Sequence, residues 1–193
     1  MAFVAINDIL GEVDLSIVDA AGPGYQNLVA GTGSGRMNFY LQTVPGYDPN
    51  LGGGEFQYMR YSGTIAAGTV CELTPSISGG VVIINATAWA GTALSGRPLA
   101  IALSAGTVGQ FGWFQTQGNA ITTVQGAPAA GNPVYWQAAG VVSPTLVASK
   151  QMLNAVFATG VSQTIGQGNA AVVLTSTQAI VTVNRAFAQG IIT

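Results

Sequence analysis

From Tyr61 onward the chain alternates apolar stretches with glycine-rich turns. Turn signals stand at Gly79-Gly80, Gly118-Asn119, Gly131-Asn132-Pro133 and Gly166-Gln167-Gly168-Asn169, and the stretches between them are apolar. Glycine and asparagine tolerate the positive φ that tight hairpins need, so this punctuation favours strands joined by short turns. The spacing of about ten to twelve residues is that of a sandwich or barrel. No alternation of strand with helix appears, which excludes a parallel α/β sheet. The expected strands are Gly68–Leu73, Val81–Trp89, Pro98–Leu103, Gln110–Gln117, Ala120–Val124, Pro133–Gln137, Gly140–Val142, Asn154–Phe157, Ala171–Leu174 and Ala179–Asn184. Only Thr145–Ala158 offers a short helix.

The front of the chain is different. Ile6–Val18 carries apolar residues at helical spacing, yet Val13, Leu15 and Ile17 also alternate as a strand would. Gly22-Pro23-Gly24 and Gly31–Gly35 break the segment. Arg36–Val44 reads as a strand, Pro45–Gly54 as a loop, and Glu55–Tyr61 as a strand with Phe56, Tyr58 and Arg60 on one side. The expected architecture is all-β. A β-barrel or β-sandwich body of short antiparallel strands over 61–193 follows an N-terminal arm or small lobe over 1–60.

Charge sharpens that division. Asp8, Glu12, Asp14, Asp19, Arg36, Asp48, Glu55 and Arg60 lie in the first sixty residues, whereas Pro98 to Thr193 holds only Lys150 and Arg185. Charged residues make up 6% of the 193, against about 25% in ordinary domains. A free monomer usually carries mixed surface charge, and the cores of interfaces are depleted of it, so the neutral half points to association with other subunits. The acidic front, with no base before Arg36, suits docking on a basic partner surface.

Several classes of chemistry are excluded. There is no histidine and one cysteine. A Ser-His-Asp triad and a thiolate zinc site therefore have no ligands to use. Five cations cannot neutralise a tract of phosphates, so nucleic acid is not the expected partner. Mean hydropathy is +0.44, but Asn85, Gly91, Ser95, Arg97 and Pro98 interrupt the most apolar window, Val81–Ala105, so no spanning helix is expected. The start has no basic region of the signal-peptide kind. Asn85-Ala86-Thr87 matches a glycosylation sequon only formally. Cys71 reads as a small core residue of a chain made in a reducing cytosol.

Three motifs invite a functional reading. Gly31-Thr-Gly-Ser-Gly-Arg36 is glycine-rich, yet it lacks the Gly-Lys-Ser/Thr ending of a phosphate loop and reads as a linker. Asp8, Glu12, Asp14 and Asp19 read as a solvated acidic face. The aromatics Trp113, Tyr135 and Trp136 would serve as stacking platforms in a carbohydrate-binding β-module, or as core residues otherwise. No catalytic, cofactor-binding or metal-binding residue is expected, and the protein is not expected to be an enzyme.

The stretch Phe111-Gly112-Trp113-Phe114-Gln115-Thr116-Gln117-Gly118, followed by Gly131-Asn132-Pro133-Val134-Tyr135, resembles the decoration (cement) proteins of tailed-phage capsids. So does the closing segment Asn184-Arg185-Ala186-Phe187-Ala188-Gln189-Gly190-Ile191-Ile192-Thr193, with Ala186 where those proteins carry proline. The resemblance covers residues 65–193. It implies a non-enzymatic, β-rich virion protein on the capsid surface that clamps the major capsid protein, commonly as a homotrimer. A tail or fibre module is the alternative within the virion.

Overall fold

The computed structural model describes residues 4–5, 18, 43–78, 80–166 and 171–190. Its strands are β1 (Val4–Ala5), β2 (Thr43–Asp48), β3 (Gly52–Tyr61), β4 (Val70–Ser78), β5 (Val81–Ala88), β6 (Leu99–Ala102) and β7 (Phe111–Thr123). They continue with β8 (Pro133–Ala138), β9 (Val141–Ser143), β10 (Gln151–Phe157), β11 (Thr164–Ile165), β12 (Val172–Val173) and β13 (Gln178–Ala188). The fold is all-β, and β11 and β12 form a separate two-stranded sheet.

The main sheet closes on itself twice. β3 pairs with β5, β5 with β4, β4 with β6, β6 with β7, and β7 returns to β3. A second series runs from β7 through β13, β10 and β8 to β9, and a bridge from Val142 back to Val124 closes it. Closing a sheet removes its edges, which protects strands that carry almost no charge. The pairings are antiparallel except for β3 with β5 and the closing bridge.

Strand β7, thirteen residues long, is common to both rings. Successive side chains point to opposite faces, so one strand can feed several cores. Phe114 joins Met59, Tyr61, Cys71 and Leu73 in the core of the first ring. Farther along the strand, Ala120 and Val124 join Val134, Met152, Phe157 and Val181. The opposite face gives Phe111 and Trp113 to a third core with Phe56, Tyr58 and Ile180. Strand β6 divides likewise: Ala100 and Ala102 face the first ring, Leu99 and Ile101 the second. Each large side chain buried this way contributes roughly 1.5–3 kcal/mol.

The expected turn at Gly118-Asn119 is instead a bulge inside β7. The register against β3 shifts so that Gln115 faces Phe56 while Gln117 faces Glu55, leaving Thr116 as the extra residue. The buried Gln115 side chain holds the backbone open, its Nε2 donating to the carbonyls of Gln117 (3.0 Å) and Asn119 (3.1 Å). Asn119 in turn donates to the Leu51 carbonyl and accepts from Thr182 Oγ1. Gly118 lies at φ +103°, and a Cβ there would sit 2.4 Å from the Gly53 carbonyl oxygen. The glycine serves the bulge, not a chain reversal.

Three further expectations change. Pro45–Gly54 is not a loop but the β2–β3 hairpin. Its turn is fixed by Asp48, buried at 4% exposure, whose carboxylate accepts from the N–H groups of Asn50 and Leu51. Thr145–Ala158 is not helical; its second half is β10, which pairs with both β8 and β13. A body beginning at residue 61 starts too late, because β2 and β3 belong to the main sheet and Phe56, Tyr58 and Met59 are core. Of the front segment, β1 pairs with β2 and Val18 packs against the core of the first ring. The expected strand from Arg36 lies outside the described residues up to its last two positions.

Candidate docking surface

The residues singled out for chemistry do not converge. The acids Asp8, Glu12, Asp14 and Asp19 and the loop Gly31–Arg36 lie outside the described residues. Among the described residues no three His, Cys, Asp or Glu side chains come together to hold a metal ion. Burial pushes the Cys71 thiol well above its ordinary range, and burial with the neighbouring Cys71 does the same to the Tyr61 phenol. Both stay neutral, and the Tyr61 hydroxyl donates to the Ser104 carbonyl at 3.0 Å.

The three aromatics that a carbohydrate-binding module would use as stacking platforms are closed to a ligand. Trp113 is fully buried, its ring tilted against Tyr58 with centroids 5.3 Å apart. Tyr135 is buried at 9% exposure. Trp136 is half-buried, with Gly91 under one face; a Cβ on Gly91 would lie 2.2 Å from the ring. The Lys150 ammonium stands over the ring, 4.0 Å from its centroid, and the indole N–H donates to the Trp89 carbonyl.

Four charged side chains of the body form two ion pairs. Arg185 on β13 reaches Glu55 on β3 at 3.1 Å, and Arg97 reaches the buried Glu72 at 3.4 Å. Beside the first pair is a cleft of about 240 Å³, lined also by Gln57, Leu73, Leu99 and Thr116. Arg185 adopts φ 49° where β10 and β13 lose register, the irregularity that turns its side chain toward β3. Both partners of the Glu55 pair are exposed enough for water to screen them, so the contact is worth little in stability.

The least satisfied surface was missed from the sequence. β4 and β5 pair over their whole length, but β6 meets β4 only at Val70–Glu72 and β3 meets β5 only at Asn85 and Ala86. Beyond those contacts β4 and β5 pair only with each other among the described strands, as a two-stranded ribbon. Near its tip the facing residues Ile77 and Val82 are 77% and 48% exposed. Leu146 and Leu94 are exposed elsewhere, the latter at φ 57° with its N–H bonded to the Ser149 carbonyl. One sequence signal pointed to the ribbon: no charged residue stands between Glu72 and Arg97.

No family model and no curated protein matches the chain. Among solved structures it is similar to the N base of the head fibre gp8.5 of bacteriophage phi29, with a TM-score of 0.44 and 11% identity. The match covers 68% of this chain and 95% of that one.

Proposed function

We propose that this chain is a non-enzymatic structural protein of a tailed-phage virion that binds the outer capsid shell and stabilises it as a decoration protein. One observation supports this most: the three segments that resemble decoration proteins lie on the frame of one ring. Phe111–Gly118 falls in β7, Gly131–Tyr135 leads into β8, and Asn184–Ala188 ends β13. β7 pairs with β13, and β10 joins β13 to β8. The likeness therefore falls on strands that build the second ring.

The physical chemistry suits the role. A protein of this kind works through many identical weak contacts, which a symmetric lattice multiplies by avidity. The partner is the major capsid protein, and copies of this chain assemble as a homotrimer through the nearly uncharged half. The acidic residues Asp8, Glu12, Asp14 and Asp19 add electrostatic attraction to a basic shell surface. The closed faces of Trp113, Tyr135 and Trp136 weigh against a carbohydrate-binding module.

The test is co-sedimentation of the purified chain with capsid shells that lack it, followed by heating of the shells. Saturable binding at many sites per shell and a higher disruption temperature are expected. Occupancy only at the tail, or at a few positions per particle, would make it a tail or fibre module instead. No binding to shells would overturn the reading.

A further inference from the structure

The ribbon of β4 and β5 has an inner and an outer chemistry that the hydrogen bonds define. Leu73 N–H donates to the Pro98 carbonyl at 2.9 Å on the outer side of β4. The Ala86 carbonyl accepts from Ser62 N–H at 2.9 Å on the outer side of β5. Leu73 faces Ala86, Pro75 faces Ile84, and Ile77 faces Val82. Backbone direction alternates along a strand, so all three pairs turn their peptide groups away from each other. Val82 and Ile84 thus present N–H and C=O groups on the outer edge of β5, where no described strand pairs with them. On the outer edge of β4 the equivalent place is held by Pro75, which has no N–H to give.

The side chains follow the same logic. Leu73 is buried in the first ring, and Ile77 and Val82 continue its face beyond the strands that cover it. Ile83, on the other face, is buried at 2% exposure. Among the described residues, the ribbon's outer edge at Pro75 is blocked and its outer edge at Val82 and Ile84 has no strand paired to it.

We propose that this edge joins two copies of the chain: β5 of one pairs antiparallel with β5 of the other about a two-fold axis near residues 82–84. Chemistry favours a second copy as the occupant. A charged edge repels its own copy, whereas this one has no charge between Glu72 and Arg97 and is complementary to itself. The pairing sets Val82 and Ile84 of each copy beside those of the other. Pro75 stops the sheet from growing past β4, so the contact closes at two ribbons and does not propagate as a fibre. The inference stands apart from the shell reading, since it concerns only how copies meet. Combined with a homotrimer it gives six chains.

Sedimentation equilibrium of the full chain tests it. An even number of protomers of 19.5 kDa is expected. Val82→Pro removes an outward N–H without touching the β4–β5 ladder and should halve that number while circular dichroism and melting stay unchanged. Should that variant fail to fold, Val82→Lys decides. It keeps the N–H, sets like charges across the axis, and should dissociate at low salt and reassociate as salt screens the repulsion. A wild-type mass of one or three protomers, or an even one that the folded variants leave intact, would overturn the proposal. Shell binding measured on the same variants separates the two readings, because loss of the two-fold contact leaves it in place.

Discussion

Strand β7 and the β4–β5 ribbon are built from similar material and meet opposite fates. Both carry apolar side chains, and neither has a charged residue once β4 has passed Glu72. In β7 the apolar residues on both faces are covered, by Tyr61 and Leu73 on one side and Tyr58 and Ile180 on the other. In the ribbon the same kind of residue ends in solvent at Ile77 and Val82. The difference lies in the neighbours. β7 is paired along its length by β3, β6 and β13, whereas the ribbon outruns its flanking strands. An apolar strand that the described strands leave unpaired has a surface to offer another chain.

The largest expected effect tests the covered strand. Trp113→Ala should destabilise the protein by about 3–5 kcal/mol, since it empties a fully buried site between Tyr58 and the rest of its core. Urea denaturation followed by fluorescence reads this; a loss below about 1 kcal/mol would mean that β7 is not the frame it is described to be. Gly118→Ala should follow at about 3 kcal/mol, because the new Cβ meets the Gly53 carbonyl and the φ of +103° is strained for alanine. Unchanged stability would show that the bulge relaxes freely.

Alkaline pH probes the same covered region. Cys71 and Tyr61 have folded pKa values above their ordinary 9.0 and 10.0. Their stabilising share is complete below those ordinary values and is lost as pH rises toward the folded ones. Each group should cost about 1.4 kcal/mol per pH unit above its ordinary value. Denaturation midpoints measured from pH 8 to 11 should fall, and Cys71→Ala should flatten the first part of the decline. A flat profile in the native protein would mean that both groups ionise without opposition.

The exposed sites should respond least. Arg185→Ala is expected to cost about 0.2–1 kcal/mol and to lose that difference at high salt. Ile77→Thr at the ribbon should leave the stability of the isolated protomer within about 0.5 kcal/mol. A loss comparable to that of Trp113→Ala would place Ile77 in a core and erase the contrast between the two regions.

Much of the body was readable from residue pattern. The strands Val81–Trp89, Pro98–Leu103, Pro133–Gln137 and Ala179–Asn184 are found at or near the expected bounds, because alternation and turn chemistry are local. The misses have local causes as well. Gly118-Asn119 has the composition of a turn, and only the Gln115, Leu51 and Thr182 contacts hold it extended. Pro45 and Gly46 mark a loop by composition, yet pairing with Glu55 and Gly54 makes them a strand. The platform aromatics could be read either way until Gly91 and Lys150 were found packed against Trp136.

What the sequence determined by itself is the class of structure: an all-β chain with apolar strands, glycine turns and no imidazole to do chemistry. These depend on side-chain type and on neighbours a few residues away. Which strand edges meet is decided only in three dimensions. The return of β7 to β3, the closure at Val124 and Val142, and the meeting of Arg185 with Glu55 across 130 residues carry no local signal. A backbone edge is chemically alike at every position, so its partner is chosen by the packing of the whole. The free edge at Val82 and Ile84 is what remains after the described strands have made that choice.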